Sequence, residues 1–152
     1  MTDPLSHSTS FIYDDNGQVL TQTLADGREI AYSYDEAGNI VAITPPGKPA
    51  HTFDYNAANL ETTYLPPDIG LATTETQYGY NIDKQLTQIT RPDGKAVLFD
   101  YDTGGRLAYT TIERGGYSYA YSSTTGNLTT ITAPDGGTID YEYDGSLLLT
   151  TT

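Results

Sequence analysis

Residues 91–107 read RPDGKAVLFDYDTGGRL. Taken alone, the stretch sets two carboxylates, Asp100 and Asp102, around Tyr101 and follows them with a glycine pair and an arginine. That invites a metal or sugar site, but the rest of the chain copies it. Tyrosines recur at Tyr13, Tyr34, Tyr55, Tyr80, Tyr101, Tyr121 and Tyr143, at intervals of 21, 21, 25, 21, 20 and 22 residues. Two positions before each stands another aromatic: Phe11, Tyr32, Phe53, Tyr78, Phe99, Tyr119 and Tyr141. Two further back, from the second copy on, come Ile30, His51, Thr76, Val97, Tyr117 and Ile139. Strand side chains alternate between faces, so each triplet projects to one side. The residues between them are mostly polar or small, as with Ala31 and Ser33, Thr52 and Asp54, or Asp140 and Glu142. Each repeat thus predicts an amphipathic strand with one aromatic face. A face kept at constant phase reads as the buried side of the sheet, with rings stacked from rung to rung.

A turn signal follows each such strand: DDNG at 14–17, DEAG at 35–38, NAAN at 56–59, DTGG at 102–105 and STTG at 123–126. Glycine or asparagine there can take the left-handed backbone of a tight hairpin or bulge. An apolar residue (Val19, Ile40, Leu60, Leu86, Leu107, Leu128, Leu147) then opens a second, Thr-rich strand. A second turn closes the repeat: ADG at 25–27, PPG at 45–47, RPDG at 91–94, RGG at 114–116 and PDGG at 134–137. In Pro-Asp-Gly the proline fixes φ, the aspartate offers a local acceptor and the glycine permits the reversal. The turn glycines of this scheme are Gly17, Gly27, Gly38, Gly47, Gly94, Gly105, Gly116, Gly126 and Gly136.

The fold expected is all-β, an antiparallel meander of about seven two-strand repeats and roughly 13 strands. Open twisted sheets rarely exceed about 10 strands without curling, so a curved, spiralling sheet is expected. Residues 1–10 are expected to be disordered, and 11–152 to form the array, with SLLLTTT at 146–152 starting an eighth repeat cut short. The stretch PPDIGLATTE, residues 66–75, lies in the longest interval and reads as an extended loop, with a binding protrusion as the alternative. Two exposed end strands would seek partners edge to edge, which predicts self-association.

Composition narrows the function. The chain of 152 residues has 14 Tyr, 3 Phe and no Trp, with 37% hydrophobic residues, so any core is built of rings with polar tips. A formal net charge of −13 repels nucleic acid and anionic membranes. The absence of cysteine removes disulfides and thiol chemistry. The start, MTDPLSHSTSF, has neither the basic opening nor the apolar run of a signal peptide, and no segment has the roughly 20 apolar residues of a membrane span. Asp100 and Asp102 lack the further oxygen ligands that calcium requires. Of the two histidines, His7 lies in the terminal segment and His51 takes the first rung position, where other repeats place Ile, Val, Thr or Tyr, and reads as a packing substitution. No nucleophile elbow or phosphate loop occurs, and no carboxylate pair stands out for glycosidase chemistry. The sequence predicts no enzyme activity, no cofactor and no metal.

The unit resembles the RHS or YD repeat: a Tyr-Asp pair, a glycine, a basic residue and a leucine, then a Pro-Asp-Gly turn. Tyr101, Asp102, Gly105, Arg106 and Leu107 match it fully; Tyr34, Asp35, Gly38, Asn39 and Ile40 match with asparagine at the basic place; Tyr13, Asp14, Gly17, Gln18 and Val19 match more loosely. The resemblance covers residues 11–149. It implies a β-strip that spirals into a hollow shell, which in bacterial toxins encloses a carboxy-terminal toxic cargo and in teneurins serves cell-surface adhesion. It implies a secreted or cell-surface setting, and as partners further repeats and an enclosed toxin. Seven repeats are fewer than a full shell, and the family's self-cleavage segment has no counterpart, so a fragment is expected, with a small stand-alone repeat protein as the alternative. The alternative is an adhesion or carbohydrate-binding module using its tyrosine faces.

Overall fold

A computed structural model describes residues 8–68, 70 and 74–152. It contains fourteen strands and, among the described residues, no helix: β1 (Ser10–Tyr13), β2 (Val19–Thr23), β3 (Glu29–Tyr34), β4 (Ile40–Thr44), β5 (His51–Tyr55), β6 (Glu61–Leu65), β7 (Thr76–Tyr80), β8 (Leu86–Thr90), β9 (Ala96–Tyr101), β10 (Leu107–Ile112), β11 (Gly115–Tyr121), β12 (Leu128–Thr132), β13 (Thr138–Asp144) and β14 (Leu147–Thr151). Strands rich in Thr, Tyr, Ile and Val suit a pleated, half-buried surface. The chain divides into two compact units, Met1–Tyr78 with Arg91–Asp93, and Gly79–Thr90 with Gly94–Thr152. In the first, each strand from β1 to β6 pairs antiparallel with the next in sequence. In the second the same holds from β8 to β13. The fold is therefore the all-β antiparallel meander that the alternating pattern predicts.

The register shows how one repeat is made. Thr21 pairs with Ala31 and Ile43 with His51 in the uninterrupted ladders that join one repeat to the next. Inside six of the repeats the hairpin is bulged, in each case beside the repeat tyrosine. Ser33 faces Ala42 but Tyr34 faces Ile40, which leaves Val41 as the extra residue. The same slip sets Tyr13 opposite Val19, Tyr55 opposite Glu61, Tyr101 opposite Leu107, Tyr121 opposite Leu128 and Tyr143 opposite Leu148. A bulge bends its strand and adds right-handed twist; here it recurs beside the tyrosine in these six hairpins.

Four details differ from the sequence reading. Among the described residues the strands number fourteen, because SLLLTTT supplies β14, the second strand of the seventh repeat, paired with β13 through Tyr143↔Leu148. In the third repeat the strand opens with Glu61, not Leu60, since the pairing partner of Tyr55 must take the place of Val19 and Ile40. Gly116 is not the turn glycine of its hairpin. The reversal is made by Glu113 and Arg114, Gly115 takes φ 128°, and Gly116 lies within β11 opposite Thr111. There the missing side chain makes room for Tyr109, whose hydroxyl would lie 2.1 Å from an added Cβ. Finally, the aromatic face is only half-buried. Ile30, Tyr32 and Tyr34 are intermediate while Ala31 and Ser33 are exposed, so the alternation is real. Among the described residues, however, no hydrophobic side chain is fully buried, because a ring on a sheet is covered only by its flanking neighbours. The loop expected at 66–75 lies partly outside the described residues.

Candidate functional site

The candidate site is the repeated turn and the aromatic face behind it. After Tyr13, Tyr34, Tyr55, Tyr80 and Tyr101 the chain closes a four-residue reversal with the same bonds. The Asp102 backbone N–H donates to the Arg106 carbonyl (2.8 Å) and the Gly105 N–H to the Asp102 carbonyl (2.9 Å). The Asp102 carboxylate then accepts from the backbone N–H groups of Gly104 (2.8 Å) and Arg106 (2.9 Å). Asp14 and Asp35 do the same, and Asn56 and Asn81 do so with an amide oxygen. Ser122 serves a turn one residue longer through its hydroxyl. The residue after the tyrosine is therefore a short-armed acceptor for backbone donors that would otherwise be unpaired.

These bonds set the charges of the turn. The backbone N–H of Arg106, then its side chain, holds the Asp102 carboxyl below its ordinary value. At Asp35 the Asn39 side-chain amide leads, followed by the Asn39 backbone N–H. Arg106 closes the pair with a 2.7 Å contact to Asp102 and lies 4.5 Å above the Tyr121 ring. Asp100 is exposed on β9, whereas Asp102 is half-buried in the turn. The two carboxylates of the opening stretch thus have separate surroundings, and among the described residues no group of three or more His, Asp or Glu could hold a metal.

The predicted aromatics all fall on odd-numbered strands: Phe11 and Tyr13 on β1, Tyr32 and Tyr34 on β3, Phe53 and Tyr55 on β5, Tyr78 and Tyr80 on β7, Phe99 and Tyr101 on β9, Tyr119 and Tyr121 on β11, Tyr141 and Tyr143 on β13. Odd strands are about 9.5 Å apart, two strand spacings, beyond the 4.5–7 Å of ring contacts. Ring contacts accordingly form within a repeat, as Phe11 with Tyr13 at 6.2 Å and Phe53 with Tyr64 at 5.3 Å. Between repeats the link is polar. The Tyr34 hydroxyl donates to the Val19 carbonyl (2.9 Å), Tyr55 to Ile40 (3.0 Å), Tyr101 to Leu86 (2.8 Å) and Tyr121 to Leu107 (2.8 Å). The expected rung-to-rung stacking is replaced by a hydroxyl that reaches the first residue of the preceding strand. A second link runs along the turns, where Gln18 donates to the Gly38 carbonyl (3.3 Å), Gln85 to Gly105 (2.8 Å) and Asn127 to Gly145 (2.7 Å).

Of the predicted turn glycines, Gly17, Gly27, Gly38, Gly47, Gly94, Gly105, Gly126 and Gly136 have φ between 64° and 89°. Sequence reasoning passed over Lys84 (φ 64°), which takes the glycine place in the fourth repeat, and Gly145 (φ 60°). Counting four residues on from Tyr80 finds the first, and the Asp-Gly pair at 144–145 signals the second.

The chain resembles known proteins along its whole length. The family model described as Teneurin YD-shell matches residues 1–152. The double-stranded DNA deaminase toxin A of Burkholderia cenocepacia is 31% identical over 122 residues, 80% of this chain and 8% of that protein. Teneurin-1 of Gallus gallus is 24% identical over 136 residues, 75% of this chain and 5% of its own. Among solved structures, the Photorhabdus luminescens Tc holotoxin pore matches with a TM-score of 0.74 at 22% identity, over 94% of this chain and 9% of that one. The TcdB2–TccC3–Cdc42 complex matches with a TM-score of 0.73 at 23% identity, over the same shares. The chain spans less than a tenth of the length of each of these relatives.

Proposed function

We propose, from the premise that this chain belongs to the teneurin YD-shell family, that it is a non-enzymatic length of wall in an encapsulating β-shell that keeps a toxic cargo polypeptide away from the cell producing it. The supporting observation is the use made of the side chains. The turn carboxylates, amides and hydroxyls bond backbone donors, and the repeat tyrosines bond the preceding strand, so the polar groups of the repeat hold the wall together. The setting proposed is secreted or cell-surface, in keeping with the relatives. The partners proposed are further YD repeats, of the same or another chain, together with the cargo. Every residue of β1 and of β14 is exposed, including Phe11, Ile12, Leu147 and Leu149. Such strands accept further strands edge to edge, and self-association of the isolated chain is part of this reading.

Protease challenge of the longer protein carrying this segment tests the reading. The cargo region is expected to survive while the repeats are intact, and to be digested when Tyr34, Tyr55 and Tyr101 are together replaced by alanine. Equal cleavage of the cargo in both proteins would overturn the shell role. Light scattering on the isolated chain should show mass rising with concentration, and a constant monomer mass would remove the edge-pairing element.

A further inference from the structure

The first and last strands complement each other. Among the described strands β1 pairs with β2 and β14 with β13, and neither pairs with a second. Between inner repeats such an edge is met in a set way. The ladder places Thr21 opposite Ala31 and Thr130 opposite Asp140. The tyrosine of the later repeat then donates its hydroxyl to the carbonyl of the residue facing the earlier tyrosine: Tyr34 to Val19, Tyr55 to Ile40 and Tyr121 to Leu107. Among the described residues no repeat precedes Tyr13 and none follows Leu148. Tyr13 is 54% exposed, a hydroxyl donor in the place of Tyr34. Leu148 faces Tyr143 as Val19 faces Tyr13, which puts its carbonyl where the tyrosine of a following repeat would bond. One edge thus offers the donor of the contact between repeats, and the other offers its acceptor.

The side chains of the two edges suit the same union. β1 reads Ser-Phe-Ile-Tyr and β14 reads Leu-Leu-Leu-Thr-Thr, with no charge and no proline in either. Edge strands that avoid partners carry lysine, proline or an inward charge. In a chain of formal charge −13, two uncharged edges also let copies approach with little repulsion. Phe11, Ile12 and Tyr13 on one edge and Leu147, Leu148 and Leu149 on the other are exposed, and pairing would take part of that apolar surface out of water. Because the two edges are different surfaces, the contact is head to tail. Each copy added leaves one β1 and one β14 open, so growth does not stop at two.

We infer that β14 of one copy pairs antiparallel with β1 of a second copy in the register of the inner repeats, Thr150 lying opposite Ser10 and the Tyr13 hydroxyl donating to the Leu148 carbonyl. Thr150 follows Leu148 as Thr21 follows Val19, and Ser10 precedes Tyr13 as Ala31 precedes Tyr34. The inference rests on the edge pairing proposed above and names its ends and its register. The chain has no cysteine, so single cysteines introduced into it report the contact by disulfide formation. Ser10→Cys and Thr150→Cys chains oxidised together should give a cross-linked dimer, and neither should do so alone. Ser10→Cys with Leu147→Cys should give about tenfold less, because the offset along the strand exceeds disulfide reach. Tyr13→Phe keeps the ring, loses the hydroxyl and should weaken association in light scattering about fivefold. Tyr109→Phe, on β10, should leave association unchanged. Cross-links between like chains in equal yield, equal yield from the offset pair, a mass that stops at the dimer, equal weakening by both phenylalanine variants, or no cross-link at all would each overturn the inference. Like-chain cross-links with a mass that still rises would end this register and leave the shell reading standing. Cargo digested alike in the protease challenge would end the shell role and leave these cross-links untouched.

Discussion

The third and fifth repeats have the same turn built from different residues. In the fifth, Asp102-Thr103-Gly104-Gly105-Arg106-Leu107 offers a charged acceptor, a glycine at the reversal, a cation to pair and a leucine facing Tyr101. In the third, Asn56-Ala57-Ala58-Asn59-Leu60-Glu61 offers a neutral acceptor, a non-glycine at φ 58°, no cation and a carboxylate facing Tyr55. Yet the acceptor bonds agree to within 0.2 Å, at 2.9 and 3.1 Å against 2.8 and 2.9 Å. The backbone therefore depends on a short acceptor and a bulge beside a tyrosine. The charges and the glycine refine that scaffold or serve something else.

Four substitutions would break or sharpen this equivalence. Replacing Tyr55 or Tyr101 by alanine removes a half-buried ring and its hydroxyl link, and each should cost about 3 kcal/mol in urea unfolding. The phenylalanine variants isolate the hydroxyl and should cost about 1 kcal/mol. Similar losses in both repeats would show that the link, not the turn composition, holds the wall; a loss confined to one would end the equivalence.

Glu61→Leu should instead stabilise the third repeat by about 1 kcal/mol at pH 7, and Glu61→Gln should show the cause through its pH dependence. A carboxyl raised in the folded state contributes stability that is fully present below the unfolded value of about 4.3 and is lost as pH rises through the folded value. The variant should therefore match the parent at pH 3, gain on it between the unfolded and folded values, and hold a constant lead above them. A constant gap across pH would assign the effect to packing.

At the reversal, Asn59→Gly should stabilise and Gly105→Asn destabilise, each by about 0.5–1 kcal/mol, because a left-handed backbone is freely available only to glycine. Asp102→Asn makes the fifth turn resemble the third and should have the smallest effect of these substitutions. That effect is present at neutral pH and closes on the acid side. The Asp102 carboxyl is depressed, so its contribution is present above the unfolded value and lost as pH falls through the folded one. The parent should therefore lose stability in acid more steeply than the variant.

The meander was legible because the period-2 alternation and the turn residues agree over the repeats. Each odd strand displays the pattern without help from its neighbours. What escaped the sequence depends on pairing. The bulge moves the facing residue by one, so Leu60 looks like the strand opener until Tyr55 is seen opposite Glu61. Gly116 resembles a turn glycine in Arg-Gly-Gly, but a two-residue reversal uses its neighbour and leaves Gly116 to admit the Tyr109 ring. His51 was visible as an exception, but its partner was not, because the Tyr64 hydroxyl reaches its ring only through the hairpin register. Lys84 was hidden by chemistry, since lysine gives no hint of a left-handed backbone.

The tyrosine hydroxyl bonds also have a direction. Tyr34 holds Val19, Tyr55 holds Ile40, Tyr101 holds Leu86 and Tyr121 holds Leu107, so in each case the later residue closes on the earlier strand. A chain leaving the ribosome amino terminus first would therefore latch each strand as the next tyrosine emerges, and growth would proceed like a zip drawn one way. Carboxy-terminal shortening by one repeat unlatches only the last strand, whereas loss of an amino-terminal repeat removes a strand that the next tyrosine was built to grip.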